Sequence, residues 1–132
     1  MRKIKQFEDL DIWKLAIEIS IDIYKVSEEG KLKQDWGLKD QIRRAAMSIS
    51  NNIAEGFEYD NNKDFIKFLR YSKGSAGEVR SQLFALRKIE FISEDFYNEM
   101  FDKLISISKQ ISGLIKYLKE YEKKNKKQIS TT

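Results

Sequence analysis

Apolar residues recur at steps of three and four over four separate stretches of this chain, the period of a helix that buries one face. The first stretch, from about Leu10 to Ser27, repeats Ile12, Ala16, Ile19, Ile23 and Val26. The second, from about Leu38 to Glu58, repeats Leu38, Ile42, Ala45, Ile49 and Ile53. The third, from about Asn62 to Ile89, places Phe65, Phe68, Leu69, Ser72, Ala76, Val79, Leu83 and Leu86 on one face. The fourth, from about Glu94 to Lys124, repeats Phe96, Met100, Leu104, Ile107, Ile111, Leu114 and Leu118. Four amphipathic helices with short connections predict an all-α domain, an antiparallel up-down-up-down four-helix bundle filling residues 1–125. The basic residues 126–132 then form a tail expected to fray.

The residues between the stripes supply stops and starts. Asp9 or Asp11 is placed to cap the first helix, and Gly30, in the linker EEGKLKQDWG, to end it. Trp36 and Leu38 are expected to anchor the far end of that linker. Asn61 or Asn62 caps the third helix, with Asp64 in its first turn, and Ser93 caps the fourth ahead of Glu94 and Asp95.

Beside its apolar stripe the second helix carries Arg44, Ser48, Asn51, Asn52 and Glu55, a seam of short polar side chains with poor helix propensity. A hairpin turning near Tyr59 and Asp60 sets Arg44 level with Ser75 and within a turn of Glu78, and Ser48 level with Tyr71 and Ser72. Small residues then meet at one level, so Gly74, Ser75, Ala76 and Gly77 are read as a close approach of two backbones rather than a kink. Arg44 and Glu78 form a candidate ion pair that fixes register. Glu55 and Glu78 are the alternative candidates for acid–base work, disfavoured because no nucleophile or metal ligand stands beside them.

The first helix has a second apolar stripe, Trp13, Ile17, Ile21 and Tyr24, about a quarter-turn from the first. Such a broad surface fits a wide bundle interior or a contact with another subunit. The subunit contact is preferred, because Trp and Tyr are enriched at interfaces.

Composition removes much chemistry. Among 132 residues there is no Cys, no His and no Pro. No disulfide, thiolate nucleophile, imidazole base or Cys/His zinc site can be built, and no cofactor or metal is expected. A non-enzymatic protein follows as the expectation. The first residues lack the apolar run of a signal peptide, and no stretch approaches the roughly 20 apolar residues of a membrane span. A cytoplasmic protein without membrane contact is expected. The net charge of +4 permits acidic partners without demanding them.

On the outer side of the third helix, Lys63, Lys67 and Arg70 share a face that Lys73, Arg80 and Arg87 continue as a slow spiral. Such rows bind phosphate backbones through Coulomb attraction and counterion release. On one helix by itself, the same row is more often a solvated surface. No aromatic residue is expected to interleave with it, so no base stacking is expected.

The segments FEDLDIWKLAIEISIDIY, WGLKDQIRRAAMSISNNIAEG and DFIKFLRYSKGSAGEVRSQL, in that order, resemble the four-helix-bundle proteins encoded by intervening sequences within bacterial 23S ribosomal RNA genes. The middle segment is the most specific. The chain departs from the pattern ahead of Trp36, where the usual Phe-Pro is missing. The resemblance implies a bundle that assembles with copies of itself into a ring, typically a homopentamer, with no enzymatic activity. Relatives include the accessory variability proteins of diversity-generating retroelements, similar bundles thought to bind nucleic acid and a reverse transcriptase. A ring also accounts for the second stripe of the first helix and repeats the basic strip around a symmetry axis. The leading expectation is a ring-forming RNA- or DNA-binding module. The alternative is a protein-interaction adaptor with incidental nucleic-acid affinity.

Overall fold

In the computed structural model, backbone is described for residues 4–131 and side chains for residues 4–126. A 3-10 turn at Phe7–Asp9 leads into α1 (Asp11–Ser27), followed by α2 (Gly30–Gln34), α3 (Trp36–Glu58), α4 (Asn62–Lys88) and α5 (Glu94–Thr131). Among the described residues α3 packs on α1 and α4, and α5 packs on α4 and α1, while the Cα atoms of the diagonal pairs stay more than 8 Å apart. That is the square section of an up-down-up-down bundle. Its centre holds Ile19 and Ile23 of α1, Ile49 and Ile53 of α3, Leu69 and Leu83 of α4, and Leu104 and Ile107 of α5, all fully buried.

The stripes read from the sequence are therefore the core, with additions. Leu32 of the short α2 is fully buried, and Ile66 and Tyr97 join the interior. The linker is not an open loop: α2 folds because Leu32 has a hydrophobic hole to fill. Gly30 opens this short helix in left-handed backbone (φ +53°) instead of capping α1. Trp36 anchors nothing, being 72% exposed. The start of α3 is held by the Asp35 carboxylate, which accepts from the Leu38 N–H at 3.1 Å.

Neither Asp9 nor Asp11 caps α1. Leu10 occupies that position without a side-chain bond, because the preceding turn brings the chain in through a backbone bond from Leu10 N–H to the Phe7 carbonyl. Of the two candidates at α4, Asn61 is the cap, accepting from Asp64 N–H at 2.8 Å. Ser93 caps α5 by accepting from Phe96 N–H at 3.1 Å. α5 continues beyond Lys124 to Thr131. Of the expected tail at 126–132, every side chain but that of Lys126 lies outside the described residues.

The α3–α4 hairpin has a different register from the one expected. Its turn pivots on Asp60, in left-handed backbone at φ 60°. Ser48 hydrogen-bonds to Ser75, not to the level of Tyr71, and the buried Ser72 hydroxyl donates to the Ile49 carbonyl at 2.8 Å. Close approach occurs at Gly56, where an added Cβ would lie 2.6 Å from Phe68 Cβ. At Gly74 and Gly77 a Cβ would meet nothing within 4 Å, so these two glycines do not admit a neighbouring backbone. Nor do they interrupt α4, which is helical throughout.

Candidate nucleic-acid interface

The inward stripe of α4 leaves its outer side to cations. Lys63, Lys67, Arg70 and Lys73 are exposed, and among the described residues none is ion-paired. The other two members of the expected strip are drawn into the protein. Arg80 lies half-buried with its guanidinium 5.9 Å from the Phe101 ring centroid. Arg87 bonds Glu94 at 3.2 Å and sits 4.0 Å from the Tyr97 ring centroid and 4.9 Å from that of Phe84. Its charge is spent on fastening α4 to α5. The strip thus shortens to its first four residues, with Arg80 at its edge.

What α4 loses at one end, α5 adds at the other. The pairs Arg87–Glu94, Arg80–Phe101 and Asn62–Glu122 fix the antiparallel register of these two helices. Lys73 then stands level with Lys109, Lys67 with Lys116, and Lys63 with Lys119. Lys109, Lys116 and Lys123 recur every seven residues on α5, as Lys63 and Arg70 do on α4, so each set keeps to one side of its helix. All of these α5 lysines are exposed and unpaired among the described residues. Lys116, Lys119 and Lys123 line an open cleft of about 340 Å³ with Ser112, Ile115 and Glu120. Sequence reasoning missed this second row because it rests on which helix lies beside α4. The seven-residue lysine spacing was the available signal.

Aromatic rings do border the strip, contrary to expectation. Tyr59 stacks on Phe68 with centroids 5.2 Å apart, and Phe68 meets Tyr71 edge-on at 5.6 Å. The Lys67 ammonium lies 5.6 Å from the Phe68 centroid. Periodicity put Phe68 in the core, but its ring is only half-buried. Tyr59 lies on a different element, so the cluster forms only when the hairpin closes.

The polar seam is partly realised. Ser48 and Ser75 meet between α3 and α4, and Asn52 donates to the Ser48 carbonyl at 2.7 Å. Asn51 and Glu55 are exposed. The Arg44–Glu78 pair does not form. With the register shifted, Arg44 turns outward, 80% exposed, and pairs with Asp40 one turn back, while Glu78 accepts from Gln82. Glu55 and Glu78 therefore share no site.

Of the second α1 stripe, Trp13 and Ile17 are half-buried, with Trp13 against Phe7 at 5.4 Å. Ile21 and Tyr24 remain largely exposed. Arg43 lies 4.2 Å from the Tyr24 ring centroid, donates to Ser27 at 2.7 Å and pairs with Glu28, which also faces Lys39 at 3.5 Å. The hydrogen bond from Arg43, with lesser help from Lys39, holds the Glu28 carboxyl below its ordinary value of 4.5. On the opposite side of α1, Lys103 of α5 reaches Asp22 at 2.6 Å, Glu18 at 3.2 Å and Glu99 at 3.4 Å. The bond to Asp22 is the largest cause raising its pKa above the usual lysine range.

Against this geometry, comparisons with known proteins are decisive on kinship. A family model described as 23S rRNA-intervening sequence protein matches residues 8–113. The chain belongs to that family. The matched span includes α1 to α4 and the first half of α5, and thus the whole α4 strip. A solved structure is also similar: a protein with unknown function from the S23 ribosomal protein family of Bacteroides thetaiotaomicron. It superposes with a TM-score of 0.72 at 25% identity, over 80% of this chain and 98% of that one. Comparison with curated proteins gives no match. As in the rest of the bundle, no helix among the described residues is long and apolar enough to cross a membrane.

Proposed function

We propose that this member of the 23S rRNA-intervening sequence protein family is a non-enzymatic, ring-forming module that binds RNA or DNA through the outer surface of α4 and α5. One observation carries the reading. Lys63, Lys67, Arg70 and Lys73 on α4, and Lys109, Lys116, Lys119 and Lys123 on α5, occupy two neighbouring rows without a carboxylate partner among the described residues. Arg43, Arg44, Arg87 and Lys103 are paired instead, while other exposed lysines outside these rows, Lys14, Lys25, Lys31 and Lys33, also have no carboxylate partner among the described residues. Unpaired cations in rows create a field that a phosphate backbone relieves by releasing its counterions. In a closed ring the rows recur around the axis and their fields add.

The test is fluorescence anisotropy of a labelled mixed-sequence oligonucleotide over a range of salt. A Lys67→Glu, Arg70→Glu variant is expected to bind more weakly and to flatten the salt dependence by roughly one to two in logarithmic slope. Unchanged affinity overturns the assignment of this surface. Retention of a protein partner after nuclease treatment, with no direct oligonucleotide binding, would point instead to the adaptor role.

A further inference from the structure

We infer that the nucleic acid bound here is single-stranded, with phosphates along Lys63, Lys67 and Arg70 and a base stacked on the aromatic cluster of Tyr59 and Tyr71. This rests on the phosphate-binding reading above and adds the form of the ligand.

The cluster is a platform and not a continuation of the core. Tyr59 is 53% exposed and Tyr71 51% exposed, whereas the ring between them, Phe68, is half-buried. Phe68 is held from below, since its Cβ abuts Gly56 of α3 with no room for a methyl group between them. Tyr59 lies almost parallel to it, 15° between planes, so one face of Tyr59 is covered and the other opens outward. Tyr71 stands at 88° to Phe68 and adds an upright wall. Both tyrosines thus pack on one half-buried centre, Phe68, and each keeps exposed ring surface on which a planar group can stack without prior ordering of the protein.

Cations stand beside Phe68 and Tyr71, while the exposed Glu58 and Asp60 flank Tyr59 in sequence. Lys67 reaches the Phe68 ring and Arg70 precedes Tyr71 directly, both unpaired among the described residues. A hydrophobic protein segment settling on these rings would have to desolvate those cations without compensation. A nucleic acid meets both demands together, offering phosphates to the cations and a π face to the tyrosines. Bases in a duplex are already stacked on each other and their faces are unavailable, whereas a single strand can splay one out onto an aromatic side chain.

The experiment uses the full chain and two fluorescent probes, a mixed-sequence single-stranded RNA and the duplex it forms with its complement. The wild type is expected to bind the single strand more tightly. A Tyr59→Ala, Tyr71→Ala variant should lose about tenfold in single-strand affinity while its duplex affinity and salt slope stay as they were. Tyr71→Phe should retain stacking, and Tyr71→Leu, which keeps apolar bulk for folding, should not. Equal affinity for the two probes, or equal losses on both, overturns the single-strand inference and leaves the phosphate surface standing. If the Lys67→Glu, Arg70→Glu variant binds both probes like the wild type, the underlying reading fails as well.

Discussion

Gly56 of α3 and Phe68 of α4 leave no room for a methyl group between them: a Cβ on Gly56 would lie 2.6 Å from Phe68 Cβ and 3.2 Å from the Phe65 ring. The obstructing Cβ is fixed by the α4 backbone and no side-chain rotation moves it, so relief requires the two helices to move apart. Gly56→Ala is expected to destabilise the protein by about 1–2 kcal/mol, overpacking outweighing the gain in helix propensity. A lower urea midpoint with an unchanged slope would be the signature.

Gly74 is the opposite case. It sits in mid-helix with open space where a Cβ would go. Gly74→Ala should therefore stabilise by about 0.5–1 kcal/mol, the usual difference between the two residues in a helix. A loss of stability on urea titration would mean that another surface packs on α4 at this point, as a second subunit could.

Four helices and most of their buried residues were legible because a helix repeats its apolar positions locally. Ile19, Ile49, Leu83 and Ile107 needed nothing but their spacing to be placed in the core. The Arg44–Glu78 pairing failed for the complementary reason. Register depends on where a turn pivots and where two backbones touch, and Gly56, the residue that decides this, looks in sequence like any helix-end glycine. Of the six cations expected to face a ligand, Lys63, Lys67, Arg70 and Lys73 stay exposed and unpaired among the described residues. Arg87 does not, because Glu94 and Tyr97 reach it from a helix whose placement no local pattern records. The α5 lysines and the Tyr59–Phe68 stack escaped notice on the same ground.

Glu28 gives the fold a measurable acid dependence. Its carboxyl is held below 4.5 by Arg43 and Lys39, so the folded state prefers it ionised. Such a group contributes stability above its unfolded value, and that contribution is lost as pH falls through the lowered folded value. Glu28→Gln should be less stable than wild type at neutral pH. The gap should narrow below pH 4.5 and close in stronger acid, as followed by urea titration across that range. A gap independent of pH would show that the carboxylate charge is not what Arg43 requires.

Ile21 and Tyr24 are the members of the second α1 stripe that the chain itself leaves most uncovered. If copies assemble through this side, light scattering coupled to chromatography should report an oligomer for the wild type. The Ile21→Asp, Tyr24→Asp variant should then elute as a folded monomer, since a charge placed in an apolar contact goes unpaired. A wild-type monomer would remove the ring, and an unaffected oligomer would move the contact elsewhere.

The ammonium of Lys103 joins the first long helix to the last, and its bond to Asp22 spans 81 positions of chain. Neighbouring helices can dock while the chain is still partly open, but this seam must await the full loop, whose closure carries the largest entropic cost. Lys103→Met should then raise the unfolding rate in stopped-flow experiments and leave refolding nearly unchanged. One side chain would thus govern how long a folded molecule persists rather than how quickly it forms.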